Sequence, residues 1–168
     1  MKILPIPNSD FYLLYKKNML VHYTSADQKT QEIWLDTLIS ASPYTILYFY
    51  PKDNTPGCSL EARTFSALLP DFQKKHVQII GVSRDSAASH CSFMVKQDLK
   101  IGLITDSELV LHRQFAARGE KKNYGKIYEG TIRSTFLLDS TGKILKERRN
   151  VKVTGHAERV LKEIQDLV

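Results

Sequence analysis

Tyr48-Phe49-Tyr50-Pro51-Lys52-Asp53-Asn54-Thr55-Pro56-Gly57-Cys58-Ser59-Leu60-Glu61 is the stretch from which the rest of the chain can be read. The apolar run that enters it at Thr45 has the length and aromatic content of a buried strand, and Pro51 ends that strand. Lys52 to Gly57 is turn-forming material, and beyond Cys58 apolar residues recur at helical spacing. A strand–loop–helix unit of this kind delivers Cys58 to the start of a helix. There the positive end of the helix dipole favours negative charge on sulfur, and the thiolate is the nucleophilic form of cysteine.

Working outward, Leu60, Phe65, Leu68, Leu69 and Phe72 trace the apolar face of that helix, with Pro70 expected to kink or end it. Strand-like runs follow at residues 77–83, 102–105, 134–138 and 143–148. Asp139-Ser140-Thr141-Gly142 joins the last two as a hairpin turn, which makes that pair antiparallel. Asp85 or Ser86 can cap a second helix with Ala87, Cys91, Met94 and Val95 inward. A third helix is expected over 109–115, capped by Asp106 or Ser107. A last one follows Gly155, with Val160, Leu161, Ile164, Leu167 and Val168 inward. Residues 1–42 are less legible: Met19 to Tyr23 reads as a short strand, and Gln31 to Ser40 has helical spacing at Ile33, Trp34 and Leu38. The order β-α-β-α-β-α-β-β-α predicts an α/β protein with a thioredoxin-like fold: a central mixed sheet flanked by helices on both faces.

A length of 168 residues suits one domain, so 1–168 is read as a single unit in which 1–42 is the divergent part. The net charge of +6 comes from lysines and arginines spread along the chain. The densest pairs, Lys121-Lys122 and Arg148-Arg149, read as solvated surface, and no aromatic-basic motif points to nucleic acid. Two cysteines make no disulfide scaffold. The histidines (His22, His76, His90, His112, His156) lack metal-ligand spacing and are expected at the surface or at helix ends, so neither metal nor cofactor is implied. No apolar stretch approaches the ~20 residues of a membrane span, and Pro5, Pro7 and Asp10 interrupt any signal-peptide core. A cytoplasmic protein is the expectation.

Pro51, Thr55 and Cys58 match the P-x-x-x-T-x-x-C signature of the peroxiredoxins. The longer phrase from Tyr48 to Ala62 resembles the PrxQ, or bacterioferritin-comigratory-protein, branch, as do residues 81–90, 119–139 and 142–144. Asp10-Phe11 echoes the opening of these proteins. The resemblance implies a metal-free thiol peroxidase reducing hydrogen peroxide and organic hydroperoxides, a monomer or weak dimer, with thioredoxin, glutaredoxin or a small thiol as reductant. Cys58 would be the peroxidatic cysteine, becoming a sulfenic acid. Thr55 would orient the peroxide, Arg133 would stabilise the thiolate and the O–O group, and Pro51 would shield the pocket. Glu61 would hold Arg133 by a charge-assisted hydrogen bond, although an acid in a first helical turn is also favoured by the dipole alone. A non-catalytic redox sensor or chaperone on the same fold is the alternative.

The chain departs from this branch where the sulfenate is resolved. Arg63 occupies the position five residues after Cys58 where many members carry a resolving cysteine, and Met94 fills the alternative position in the next helix. Cys91 lies one helical turn before Met94. Either Cys91 resolves Cys58 after both helices unwind, or it is a small core residue and an external thiol reduces the sulfenate. The second reading is preferred. Arg118 stands where the branch usually has an aromatic residue.

Overall fold

A computed structural model describes residues 19–168, so the Asp10-Phe11 match lies outside the described residues. The strand read from Thr45 is β3, Tyr44–Phe49, in the interior of the sheet. Its side chains alternate between two apolar layers. Ile46 and Tyr48 face a cluster built with Cys58, Ala62, Phe65, Phe93, Val160 and Ile164. Leu47 and Phe49 face one built with Leu35, Leu38, Leu111, Phe115 and Phe136. Burial on both faces explains why this strand is a continuous apolar run rather than an alternating one.

The strands are β1 Leu20–Thr24, β2 Thr30–Trp34, β3, β4 Val77–Ser83, β5 Gly102–Thr105, β6 Arg118–Asn123, β7 Lys126–Thr131, β8 Ser134–Asp139 and β9 Ile144–Arg148. Seven of them form one sheet in the order β2-β1-β5-β4-β3-β8-β9, and β6 and β7 form a separate ribbon. The β3–β4 and β4–β5 pairs are parallel; β8 runs antiparallel to both β3 and β9. The helices are α1 Leu35–Ser40, α2 Pro56–Lys74, α3 Ala87–Gln97, α4 Val110–Gln114 and α5 His156–Leu167. Helices α2, α3 and α5 cover the first layer and α1 and α4 the second. The expected mixed sheet with helices on both faces is therefore present.

Several local expectations are corrected. Residues 31–40 are not one helix: Thr30–Trp34 is β2, paired antiparallel with β1, and only Leu35–Ser40 is helical. Tertiary pairing overrides the helical spacing of Ile33 and Trp34. Pro70 does not end α2, which continues to Lys74; its missing N–H forfeits one bond of the ladder. Leu60 and Leu167 are exposed rather than inward. Helix α3 is rotated from the expected face: His90, Phe93 and Met94 point in, Cys91 is half-buried and Val95 is exposed. The β6–β7 ribbon carries no strand signal in the sequence because its lysines mask the alternation. Its turn is Tyr124-Gly125, both left-handed at φ 48° and 78°, as a two-residue hairpin requires.

Three of the histidines expected at the surface or at helix ends are buried, and of these His156 does open a helix, α5. His90, His112 and His156 are essentially inaccessible, each satisfied by a hydrogen-bond partner. His112 Nδ1 lies 2.6 Å from Asp106 Oδ2, while the Asp106 carboxylate also accepts from the backbone N–H groups of Leu111 and His112. Asp106 thus caps α4 as expected. Ser86 caps α3 by accepting from the Ser89 N–H. Arg149, expected on the solvated surface, instead donates to the carbonyls of Phe115 and Ala116 and sits 5.3 Å from the centre of the Phe136 ring.

In the centre of β4, Gly81 makes room for two buried side chains. A Cβ there would fall 2.8 Å from Leu103 Cδ2 and 2.9 Å from Tyr48 Cζ. Neither neighbour can retreat within a close-packed layer. Gly81→Ala is expected to lower stability by about 1–3 kcal/mol, read from urea unfolding midpoints.

Candidate active site

Phe49 is the last residue of β3, and the Tyr50 N–H still donates to the Val82 carbonyl before Pro51 turns the chain out of the sheet. The loop closes on Thr55, whose extended backbone makes it the N-cap of α2, with Pro56 as first helical residue. Thr55 caps through its backbone alone, since its carbonyl accepts from the Ser59 N–H. Its hydroxyl donates 2.9 Å back to the Lys52 carbonyl, which leaves the oxygen lone pairs free to accept.

Cys58 is the third residue of α2 and is 1% exposed. Arg133, in the short connection between β7 and β8, reaches across to it. One terminal nitrogen, Nη2, donates to Cys58 Sγ at 3.4 Å, and the other, Nη1, donates to Glu61 Oε1 at 2.7 Å. Cys58 and Glu61 lie three residues apart on one side of α2, so a single guanidinium spans both. Position 57 beside them is glycine; a Cβ there would sit 3.6 Å from Arg133 Nη2 and 3.8 Å from Val153 Cγ2. Val153 therefore flanks the site, and the Val151 N–H fixes the Arg133 carbonyl at 3.0 Å. Nothing in the sequence marks either valine.

The charges are mutually dependent. Arg133 holds its proton more firmly than usual because Glu61 and Cys58 outweigh the cost of its burial. Glu61 is lifted to about 7, since burial outweighs the attraction of Arg133. The reason for the imbalance is visible: only Oε1 meets Arg133, whereas Oε2 is buried without a hydrogen-bond partner among the described residues. The Tyr48 hydroxyl is equally buried and unpartnered, and burial together with the Glu61 and Cys58 charges pushes its pKa well up.

A second cluster, invisible in the sequence, secures the loop. Asp53 is nearly inaccessible and accepts from the Tyr50 hydroxyl at 2.7 Å and from Ser89 Oγ at 2.8 Å. His90 Nδ1 lies 2.8 Å from the same carboxylate, and His90 Nε2 lies 3.1 Å from the Ile104 carbonyl. The Asp53 N–H donates to Asp85, itself held by Ser83 Oγ. The loop carrying Thr55 is thereby tied to α3 and β4.

Pro51, Thr55, Cys58, Glu61 and Arg133 thus gather at one end of the sheet. Cys91 does not join them. Its sulfur faces the Gln28 carbonyl in the β1–β2 turn at 3.6 Å, and both cysteines are free thiols. Among the described residues no group of three or more His, Cys, Asp or Glu side chains is placed to hold a metal. Nor is any helix among them long and apolar enough to cross a membrane.

The AhpC/TSA family matches residues 17–147. Peroxiredoxin Bcp of Xanthomonas campestris is 48% identical over 121 residues, covering 72% of this chain and 76% of that protein. Peroxiredoxin Bcp of Bacillus subtilis is 44% identical over 124 residues, 74% of this chain and 79% of that one. The solved structure of Xanthomonas campestris Peroxiredoxin Q superposes with a TM-score of 0.83 at 37% identity, covering 98% and 96% of the two chains. Another, of the Xanthomonas campestris bacterioferritin comigratory protein described for alkyl peroxide reduction, gives 0.82 at 36%, covering 98% and 97%. With family, relatives and sheet topology in agreement, the chain belongs to the AhpC/TSA family as a thioredoxin-fold peroxiredoxin of the PrxQ, or bacterioferritin comigratory, branch.

Proposed function

We propose that the protein is a thiol-dependent peroxidase in which Cys58 attacks the peroxide. The observation that carries this reading is the Arg133 guanidinium shared between Cys58 Sγ and Glu61. The thiolate takes the terminal OH of a hydroperoxide, the O–O bond breaks, and alkoxide leaves to be protonated to alcohol (to water when the substrate is hydrogen peroxide). Cys58 is left as the sulfenic acid. Thr55 Oγ1, with its own proton committed to Lys52, accepts from the incoming peroxide. Arg133 balances charge on sulfur and then on the departing oxygen, and Pro51 shields the pocket.

Reduction falls to an external thiol. That thiol condenses with the sulfenic acid, releasing water, and a second thiol frees Cys58 as disulfide leaves. Thioredoxin, glutaredoxin or a small thiol meets this requirement. Two features support the reading. Met94 is buried in the same apolar cluster as Cys58 and cannot form a disulfide. Cys91 points away, toward the β1–β2 turn. We also read residues 1–168 as one cytoplasmic domain.

Cys58→Ser is expected to abolish peroxide consumption while Cys91→Ser retains the parent rate. After one equivalent of peroxide, non-reducing mass spectrometry of the parent should find a sulfenate or mixed disulfide at Cys58. An intramolecular Cys58–Cys91 disulfide would replace the one-cysteine cycle by a two-cysteine one.

Glu61 makes a pH-dependent contribution to stability. Its carboxyl holds a proton up to about 7 when folded against 4.5 ordinarily, so its contribution is greatest below 4.5 and is lost as pH rises through 7. Glu61→Gln cannot titrate. Its stability relative to the parent should therefore rise between those limits by up to about 3 kcal/mol, read from paired urea unfolding curves.

A further inference from the structure

The β6–β7 ribbon brings a second cation to the site. Its register pairs Gly119 with Gly130, Lys121 with Tyr128 and Asn123 with Lys126, so these six residues share one face. Two glycines stand opposite each other near the base of that face. A Cβ at Gly130 would fall 2.9 Å from Lys121 Cδ and 3.2 Å from Tyr128 Cε2. Both long side chains therefore lie down over the glycine gap, toward the base of the ribbon and away from its tip at Tyr124-Gly125. From that base the chain continues through Thr131 and Ile132 into Arg133.

The Lys121 ammonium accordingly lies within the fields of Arg133 and Cys58. Burial and Arg133 hold its pKa below the usual lysine value, while Cys58 acts the other way. Arg133 has both terminal nitrogens engaged, one by Glu61 and one by Cys58. The Lys121 ammonium has no ion pair or hydrogen bond among the described residues. An uncommitted cation half-buried beside another cation is unfavourable alone, and an anion between the two relieves it.

We propose that Lys121 is a specificity residue that binds the negative charge of small anionic hydroperoxides, those carrying a carboxylate close to the O–O group. The carboxylate meets the ammonium, the Tyr128 ring covers the intervening carbons, and the terminal peroxide oxygen is presented to Cys58. The chemical step is unchanged from that proposed above, on which this inference rests.

The test compares tert-butyl hydroperoxide with 2-hydroperoxy-2-methylpropanoate, in which a carboxylate replaces one methyl group. The readout is the ratio of kcat/KM for the anion to that for the neutral peroxide, measured with excess reductant. Lys121→Gln should lower this ratio by about tenfold or more, the usual worth of a charged contact. Lys121→Arg should keep it within about threefold. Gly130→Ala retains the charge but displaces the lysine stem, and should lower the ratio as well. A ratio unchanged in Lys121→Gln overturns the role of Lys121 while leaving the peroxidase reading intact. A parent protein that consumes neither peroxide overturns both.

Discussion

The antiparallel register of β3 and β8 is the constraint on which the site depends. Phe49, the last residue of β3, pairs with Ser134, the first of β8. The loop leaving β3 and the residue entering β8 therefore emerge at the same end of the sheet. One is the path to Cys58; the other is Arg133. Because side chains alternate across a sheet, a slip of one residue would turn Tyr48 and Phe49 into the wrong layers and carry Arg133 off its partners. The apolar layers on both faces hold that register, so the placement of Arg133 beside Cys58 and Glu61 is inherited from core packing.

What the register brings together is electrostatically tense. A thiol, a carboxyl and a guanidinium meet where water is excluded, and burial of a charge is costly unless it is paired. Arg133 satisfies one oxygen of Glu61 and the sulfur of Cys58 with its two forks, but Glu61 Oε2 and the Tyr48 hydroxyl remain unpartnered among the described residues. An apolar alternative would be more comfortable for folding. The pKa values of Arg133 and Glu61 are both shifted in this setting, and perturbed ionisable groups of this kind gather at functional sites in general.

Much of this was legible in the chain. The apolar run ending at Pro51, the turn formers and Cys58 at a helical start together specify the strand–loop–helix unit, and Asp139 to Gly142 specifies its hairpin. The helices after Ser86 and Gly155 follow from cap and breaker signals. Pairing of Arg133 with Glu61 came from likeness to a family, since residues 72 apart carry no local signal of contact. Other features were hidden for physical reasons. Ile33 and Trp34 show helical spacing, yet a neighbouring edge strand claims them. Cys91 and Val95 fit an apolar stripe, yet His90 takes the inward position because Asp53 awaits it. A histidine looks polar in a sequence and becomes a core residue only when its acceptors are in place.

The Asp53 cluster has a consequence for how such a chain can change. Its members come from three separated segments: Tyr50 and Asp53 in the approach to Cys58, Ser83 and Asp85 at the end of β4, Ser89 and His90 in α3. Losing any one strands a buried donor or acceptor, so single replacements are opposed even where the partner lies far along the sequence. Drift in α3 is thus tethered to drift in the loop before Cys58. The opposite flank of that same helix carries no such network: Val95 is exposed, and Cys91 meets only the Gln28 carbonyl, so replacement there strands far less.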